Sequence, residues 1–195
     1  MRMLLHALVA ASLTVGLAPA PPLTAIERQR LIAHLEMTER WLVDEVTALS
    51  PAQLDFRTAP TSWTVREVMD HLVVVGTIYW EDLQAALKKP AGSRQNLSRD
   101  EDILWYGIDR TNRETAIPPE LPKGRAQEFA VALAAFRRDH ARLTEFIKTT
   151  AVDLRAHVVE RQQCDAYQWA LLISTHEQRH ILQIRDIKAH AGFPR

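Results

Sequence analysis

From residue 23 onward apolar positions recur at three- and four-residue intervals. No run alternates convincingly with the period of two that a half-buried strand would need. The first stripe is Leu31, Leu35, Trp41, Leu42, Val46 and Leu49. It opens at Thr24-Ala25-Ile26-Glu27, a capping box in which the Thr and Glu side chains satisfy backbone N–H groups that the first turn leaves free. This predicts a helix from Thr24 to about Ser50. Ser50-Pro51-Ala52-Gln53 restarts a short helix, with proline at the first position, where no N–H is needed. After a loop at 57–62, Thr64-Val65-Arg66-Glu67 is a second capping box, and Trp63 before it is placed to pack on Val68. The helix it starts extends to about Lys89, and its stripe of Val68, His71, Val75 and Ile78 sets a histidine in an apolar line.

Residues 90–124 are irregular and rich in Pro, Gly and polar side chains. Within them Ser98-Arg99-Asp100-Glu101 is placed to cap a short helix carrying Ile103, Leu104, Trp105 and Tyr106. A connection of this length suits a crossover or a functional loop rather than a tight hairpin. A third long helix, about Arg125 to Thr150, shows Phe129, Leu133, Phe136, His140, Leu143 and Ile147 on one face. Asp165-Ala166-Tyr167-Gln168 caps a fourth, which stops at Gly192 ahead of Pro194. Four long amphipathic helices and no strand predict an all-α four-helix bundle, one domain over 23–195.

Composition narrows the function. Lys plus Arg and Asp plus Glu stand at 24 each, so no net field recruits nucleic acid or anionic lipid. Cys164 is the single cysteine, which leaves the fold to packing without an internal disulfide. The mature chain has no membrane span. Residues 1–22 differ from the rest: Arg2 is the only charge before Glu27, an apolar run follows, and Ala18-Pro19-Ala20 closes it. This is the form of a secretory signal peptide, and it predicts export to the periplasm or beyond; a start that is not a leader would leave the chain in the cytoplasm.

The chemistry centres on His176-Glu177-Gln178-Arg179-His180. Histidines four apart lie about one turn, ~6 Å, along one helix face and can chelate a divalent cation if a third ligand arrives. The pentapeptide also fits the H-E-x-x-H pattern of zinc metallopeptidases. That reading needs a sheet and a further ligand downstream. The positions that would complete the extended motif are Gln183 and Asp186, and only 15 residues follow His180. His71 is the better third ligand, because it faces the core of its helix as His176 and His180 face theirs, and packed helix axes ~8–10 Å apart let facing imidazoles meet at one ion. Three buried imidazoles with no shared partner would be costly, and a cation removes that cost. The bland alternative is three structural histidines. His34 and His140 are expected to be hydrogen-bonded or at the surface. Glu177 points ~100° round the helix from His176, which leaves it as a partner behind the ligands, a general base or a solvated side chain. Glu67 and Asp70 have similar claims near His71, and Cys164 is either a buried thiol or within reach of the cleft. Trp41, Trp80 and Trp105 would make an exposed face for a homodimer, or belong to the core.

Two segments carry a resemblance to a known family. Trp63-Thr64-Val65-Arg66-Glu67-Val68-Met69-Asp70-His71-Leu72 resembles the tryptophan-led second helix of the DinB-like superfamily. Thr175-His176-Glu177-Gln178-Arg179-His180-Ile181-Leu182-Gln183-Ile184 resembles its closing metal-binding helix, and Leu49-Ser50-Pro51-Ala52-Gln53-Leu54 and the Leu154-to-Ala166 spacer match in position. The resemblance covers about residues 24–190. It implies an up-up-down-down four-helix bundle with His71, His176 and His180 on a divalent ion (Zn, Ni, Fe or Mn). Members include bacillithiol S-transferases and mycothiol-dependent maleylpyruvate isomerase, in which the metal binds and ionises a thiol. The expectation for this chain is a metal-dependent transferase or hydrolase acting on a small molecule, the alternative being a bundle that binds a metal or ligand without turnover.

Overall fold

The computed structural model describes residues 22–94, 98–111 and 128–195. The leader pattern up to residue 21, and residues 125–127 of the third predicted helix, lie outside them. The elements are α1 (Ala25–Val46), α2 (Pro51–Leu54), α3 (Val65–Leu87), α4 (Asp100–Tyr106), α5 (Phe129–Thr149), β1 (Val158–Val159), β2 (Cys164–Asp165) and α6 (Ala166–Ala189), with one 3-10 turn at Leu154–Ala156.

The capping boxes at Thr24, Ser50, Thr64 and Asp165 all form, each with its reciprocal Glu or Gln. The one expected at Ser98 does not. Arg99 occupies the cap position of α4 with no side-chain bond. The Ser98 carbonyl instead accepts from Gln168 Nε2 at 2.7 Å, and Asp100 pairs with Arg155 at 2.6 Å, so tertiary contacts set the start of this helix. α1 ends at Val46 rather than Ser50, because Ser50 is already extended as the cap of α2. α6 ends at Ala189, before Gly192, where His190 turns extended. The hairpin of β1 and β2 was not expected. It pairs Val158 with Asp165 and Val159 with Cys164, and strands of two residues are too short to show an alternating pattern.

Two apolar clusters fill the ends of the bundle. One joins Leu31 and Leu35 of α1, Leu83 of α3, Leu143 and Ile147 of α5, and Trp169 and Ile173 of α6. The other joins Leu42 and Val46, Val68 and Leu72, Ala132 and Phe136, and Ile181 and Ile184 of the same four helices. Each helix therefore spans the bundle, and the clusters give their directions: α1 and α6 run one way, α3 and α5 the other. The neighbour order round the bundle is α1, α6, α3, α5. In chain order the helices run up, down, down, up rather than the expected up, up, down, down; two-and-two directions are met only round the ring. α3 and α5 are parallel neighbours, so the chain between them must travel back along the bundle, which accounts for the long irregular connection.

A polar layer lies at mid-height between the clusters, made by Thr38, His140 and the stretch 174–180 of α6. α4 closes one side of it against α6, where Arg179 Nη1 donates to the Tyr106 carbonyl at 2.9 Å. The approach is close at Gly107, where a Cβ would lie 3.0 Å from Thr175 Cβ and 3.2 Å from the Thr175 carbonyl oxygen, so glycine relieves a tight contact. The tryptophans do not share a face. Trp80 of α3 packs edge-on against Phe146 of α5, Trp41 of α1 lies under Arg185 of α6, and Trp105 of α4 is exposed. Among the described residues no helix is long and apolar enough to cross a membrane.

Candidate metal centre

The mid-height layer brings His71 of α3 to His176 and His180 of α6. His71 Nε2 lies 3.3 Å from His176 Nε2, and His180 Nε2 lies 3.1 Å from the same atom. One ligand atom from each of the three falls within 4.8 Å of the others, and this is the only such group of three or more ligating side chains among the described residues. Bonds of ~2.0–2.1 Å at a tetrahedral ion place two imidazole nitrogens about 3.3 Å apart, so the spacing fits. Hydrogen bonding alone does not account for it. A ring nitrogen either holds one hydrogen or offers one lone pair, so His176 Nε2 makes one good N–H···N bond and not two. Three Nε2 atoms converging in this way are a set that could hold a divalent cation.

Orientation comes from behind the rings. Gln183 Oε1 accepts from His180 Nδ1 at 2.8 Å, which fixes the tautomer with the Nε2 lone pair toward the other two imidazoles. Gln183 was legible only as a position where the extended peptidase motif fails; one turn beyond His180 it is instead an orienting partner. Trp63 lies against His71 at 4.9 Å between ring centroids and stacks parallel to His180 at 6.3 Å, so its place before the α3 cap serves the histidines as well as the apolar cluster. Tyr79 reaches His176 at 5.7 Å and Trp169 at 4.7 Å. His71 is buried, and His176 and His180 are half-buried. Burial, then the neighbouring imidazoles His180 and His71, hold the His176 ring far below its ordinary value. Burial, then His71, lowers His180 to about 3. Both are therefore neutral near pH 7, the state in which imidazole ligates a metal.

Glu177 behaves differently from its neighbours in sequence. It is neither solvated nor turned toward the three imidazoles. Its carboxylate is buried, 6% exposed, on the inward side of α6, where Thr38 of α1 and, from across the bundle, His140 of α5 reach it. Glu177 Oε2 accepts from Thr38 Oγ1 at 3.0 Å and lies 3.4 Å from His140 Nε2. Thr38 Oγ1 also meets Ser174 Oγ at 2.9 Å, which in turn meets His34 Nδ1 at 2.6 Å. His34 and His140 thus end a polar chain that crosses the bundle through Ser174, Thr38 and Glu177. His140 is depressed by burial, but Glu177, then Glu39 and Glu36, outweigh this and raise it above its ordinary value. Helix spacing alone could not disclose this pair, because it depends on which helices are neighbours. Glu67 is taken up by the α3 cap, at 2.8 Å from Thr64 N, and by Arg57 at 2.8 Å. Asp70 is half-buried, and burial raises its carboxyl. Cys164 is 2% exposed inside an apolar cluster, where burial pushes its thiol up to about 12, the behaviour of an inert core cysteine.

Residues 30–184 match the model of the DinB superfamily. The chain is 27% identical over 157 residues to YuaE, an uncharacterized protein of Bacillus subtilis (strain 168), across 77% of this chain and 91% of that one. Among solved structures it is similar to YfiT of Bacillus subtilis, at a TM-score of 0.60 and 18% identity, across 91% of this chain and 95% of that one. YfiT is described as a probable metal-dependent hydrolase with an unusual four-helix bundle topology. At that identity the likeness speaks to the bundle alone. The family model spans most of the chain and includes His71, His176 and His180, and the helices that carry them take the same fold: the chain belongs to the DinB superfamily.

Proposed function

We propose that this chain is an exported metalloprotein in which His71, His176 and His180 hold one divalent cation, Zn, Ni, Fe or Mn, and that it is a transferase or hydrolase acting on a small molecule. The observation that carries the reading is the convergence of three Nε2 atoms, 3.1 and 3.3 Å from a common member, with the outer face of His180 held by Gln183. Such a cation, held by three neutral imidazoles, would supply Lewis acidity toward a water or thiol. The chain's own part is to keep the imidazoles neutral by burial, to aim the His180 lone pair through Gln183, and to wall the rings with Trp63 and Tyr79. The likeness to YfiT favours a hydrolase within that pair of activities. Export rests on the pattern of residues 1–22, with a cytoplasmic chain as its alternative.

One observation favours the non-catalytic alternative, a bundle that binds a metal or ligand without turnover. Glu177, the acid next in sequence to His176, commits its buried carboxylate to Thr38 and His140. The peptidase reading has little left to stand on, since α6 closes a helical bundle and the third imidazole comes from α3 upstream. Ester, amide and thiol-transfer panels run on metal-loaded parent and His180→Ala decide between enzyme and binder. Turnover lost in the variant supports an enzyme. Full metal occupancy with no turnover on any panel supports the binder.

A further inference from the structure

Where α3, α5 and α6 converge they enclose a small cavity of about 30 Å³, whose lining does not include the three imidazoles. Most of its wall is apolar, but His140 and Glu177 both line it, and Asp139 and Arg142 join them where it approaches solvent, with side chains 14% and 43% exposed. We propose that this cavity is a water site, in which one or two molecules accept from His140 Nε2–H, donate to the Glu177 carboxylate, and exchange with solvent beside Arg142.

Three observations carry it. First, His140 Nε2 is buried and has no hydrogen-bond partner, although its side chain is only 2% exposed. Glu177 Oε2 is 3.4 Å away, a distance for ionic attraction rather than a well-formed hydrogen bond. A buried donor left in this state is the usual mark of an internal water. The other ring nitrogen is differently placed, 3.5 Å from Thr144 Oγ1 and 3.9 Å from Glu39 Oε2. Second, the dimensions suit water and little else. A single water needs roughly 10–15 Å³ by this measure and two to four polar partners, so the cavity holds about two and the lining supplies their bonds. Third, Gly76 forms part of the wall from within α3, where glycine is the costliest ordinary helix residue. Packing does not demand it, since a Cβ there would meet nothing within 4 Å. Its effect is to leave that part of the wall without a side chain. Burial opposes charge on the His140 ring, but the nearby Glu177 carboxylate outweighs it and raises the ring, in keeping with an Nε2–H donor at the cavity. The bundle then has a second polar centre, separate from the metal ligands, that takes molecules of water's size and brings the carboxylate of Glu177 into exchange with solvent.

The test is NMR of the full chain labelled with ¹⁵N-histidine, the His140 signal being assigned by its loss in His140→Gln. A cross-peak from His140 Nε2–H to a bound water, lost on filling the cavity with Gly76→Leu together with an at least tenfold slower exchange of that proton, supports the site. If the leucine does not fold, the parent decides by itself, because a polar hydrated cavity shows the water cross-peak and admits no xenon. Absence of the cross-peak in the parent, its survival in a folded Gly76→Leu, or xenon-induced methyl shifts at Leu72 and Ile173 overturns the proposal, since a dry apolar cavity is the kind that takes xenon.

Discussion

Two flanks of one helix carry opposite histidine chemistry. Where α6 faces α3, His71, His176 and His180 turn nitrogens on one another with no carboxylate among the atoms brought together. Where α6 turns toward α1 and, across the bundle, toward α5, His140 meets Glu177, with Glu39 and Glu36 near enough to add their charge. Burial disfavours the imidazolium on both flanks. The partners decide the outcome: fellow imidazoles deepen the effect at His176 and His180, and carboxylates reverse it at His140. The first flank therefore favours neutral rings, and the second favours the imidazolium.

The largest effect should come from removing the internal counter-charge. Glu177→Gln leaves the charged His140 in the core and should lower the unfolding free energy by about 3 kcal/mol in urea titrations below pH 6.5. The matching change on the other flank, His180→Gln in metal-free protein, strands no charge and should cost about 1 kcal/mol or less. Equal losses would erase the distinction between the flanks.

Stability against pH separates them by sign. His176 and His180 lie below their ordinary 6.5 when folded, so unfolding takes up protons as the pH falls. Metal-free protein should then lose about 1.4 kcal/mol per pH unit for each such ring between about 6.5 and the folded value. His140 is raised, so its contribution is complete below 6.5 and disappears as the pH rises through the folded value. Urea midpoints across this range should show a flatter acid limb in His180→Gln and a flatter alkaline limb in His140→Gln. The reverse assignment would contradict the account.

Two smaller changes probe the supports. Thr38→Val removes the hydroxyl shared by Glu177 and Ser174 and should cost about 1–2 kcal/mol, read by thermal or urea unfolding, with metal affinity unchanged. Gln183→Leu should do the converse, weakening metal binding about tenfold by calorimetric titration while leaving metal-free stability alone.

The two flanks were unequally legible in the amino-acid sequence. Caps and stripes are local, and Thr24, Ser50, Thr64 and Asp165 each start a helix where the capping box places it. The imidazole group was within reach because two of its members sit one turn apart and the third occupies an apolar stripe; pairing them needs only that α3 and α6 touch. The Glu177–His140 pair needed more. It requires α5 to lie beside α6's other neighbours in a ring that apolar periodicity does not order, since any of the four helices could pack against any other. The Ser98 cap failed for a related reason: Gln168 and Arg155, distant in sequence, hold the start of α4.

Metal content measured after dialysis tests the central claim most directly. The chain, purified without a polyhistidine tag, stripped, and equilibrated with Zn²⁺ near pH 7.5, should retain about one equivalent, and His34→Ala and His140→Ala should do the same. His71→Ala, His176→Ala and His180→Ala should each fall below about a tenth of an equivalent. A parent that retains less than about a tenth, or a His140→Ala that loses as much metal as His71→Ala, would contradict the assignment of the cation to the α3–α6 flank.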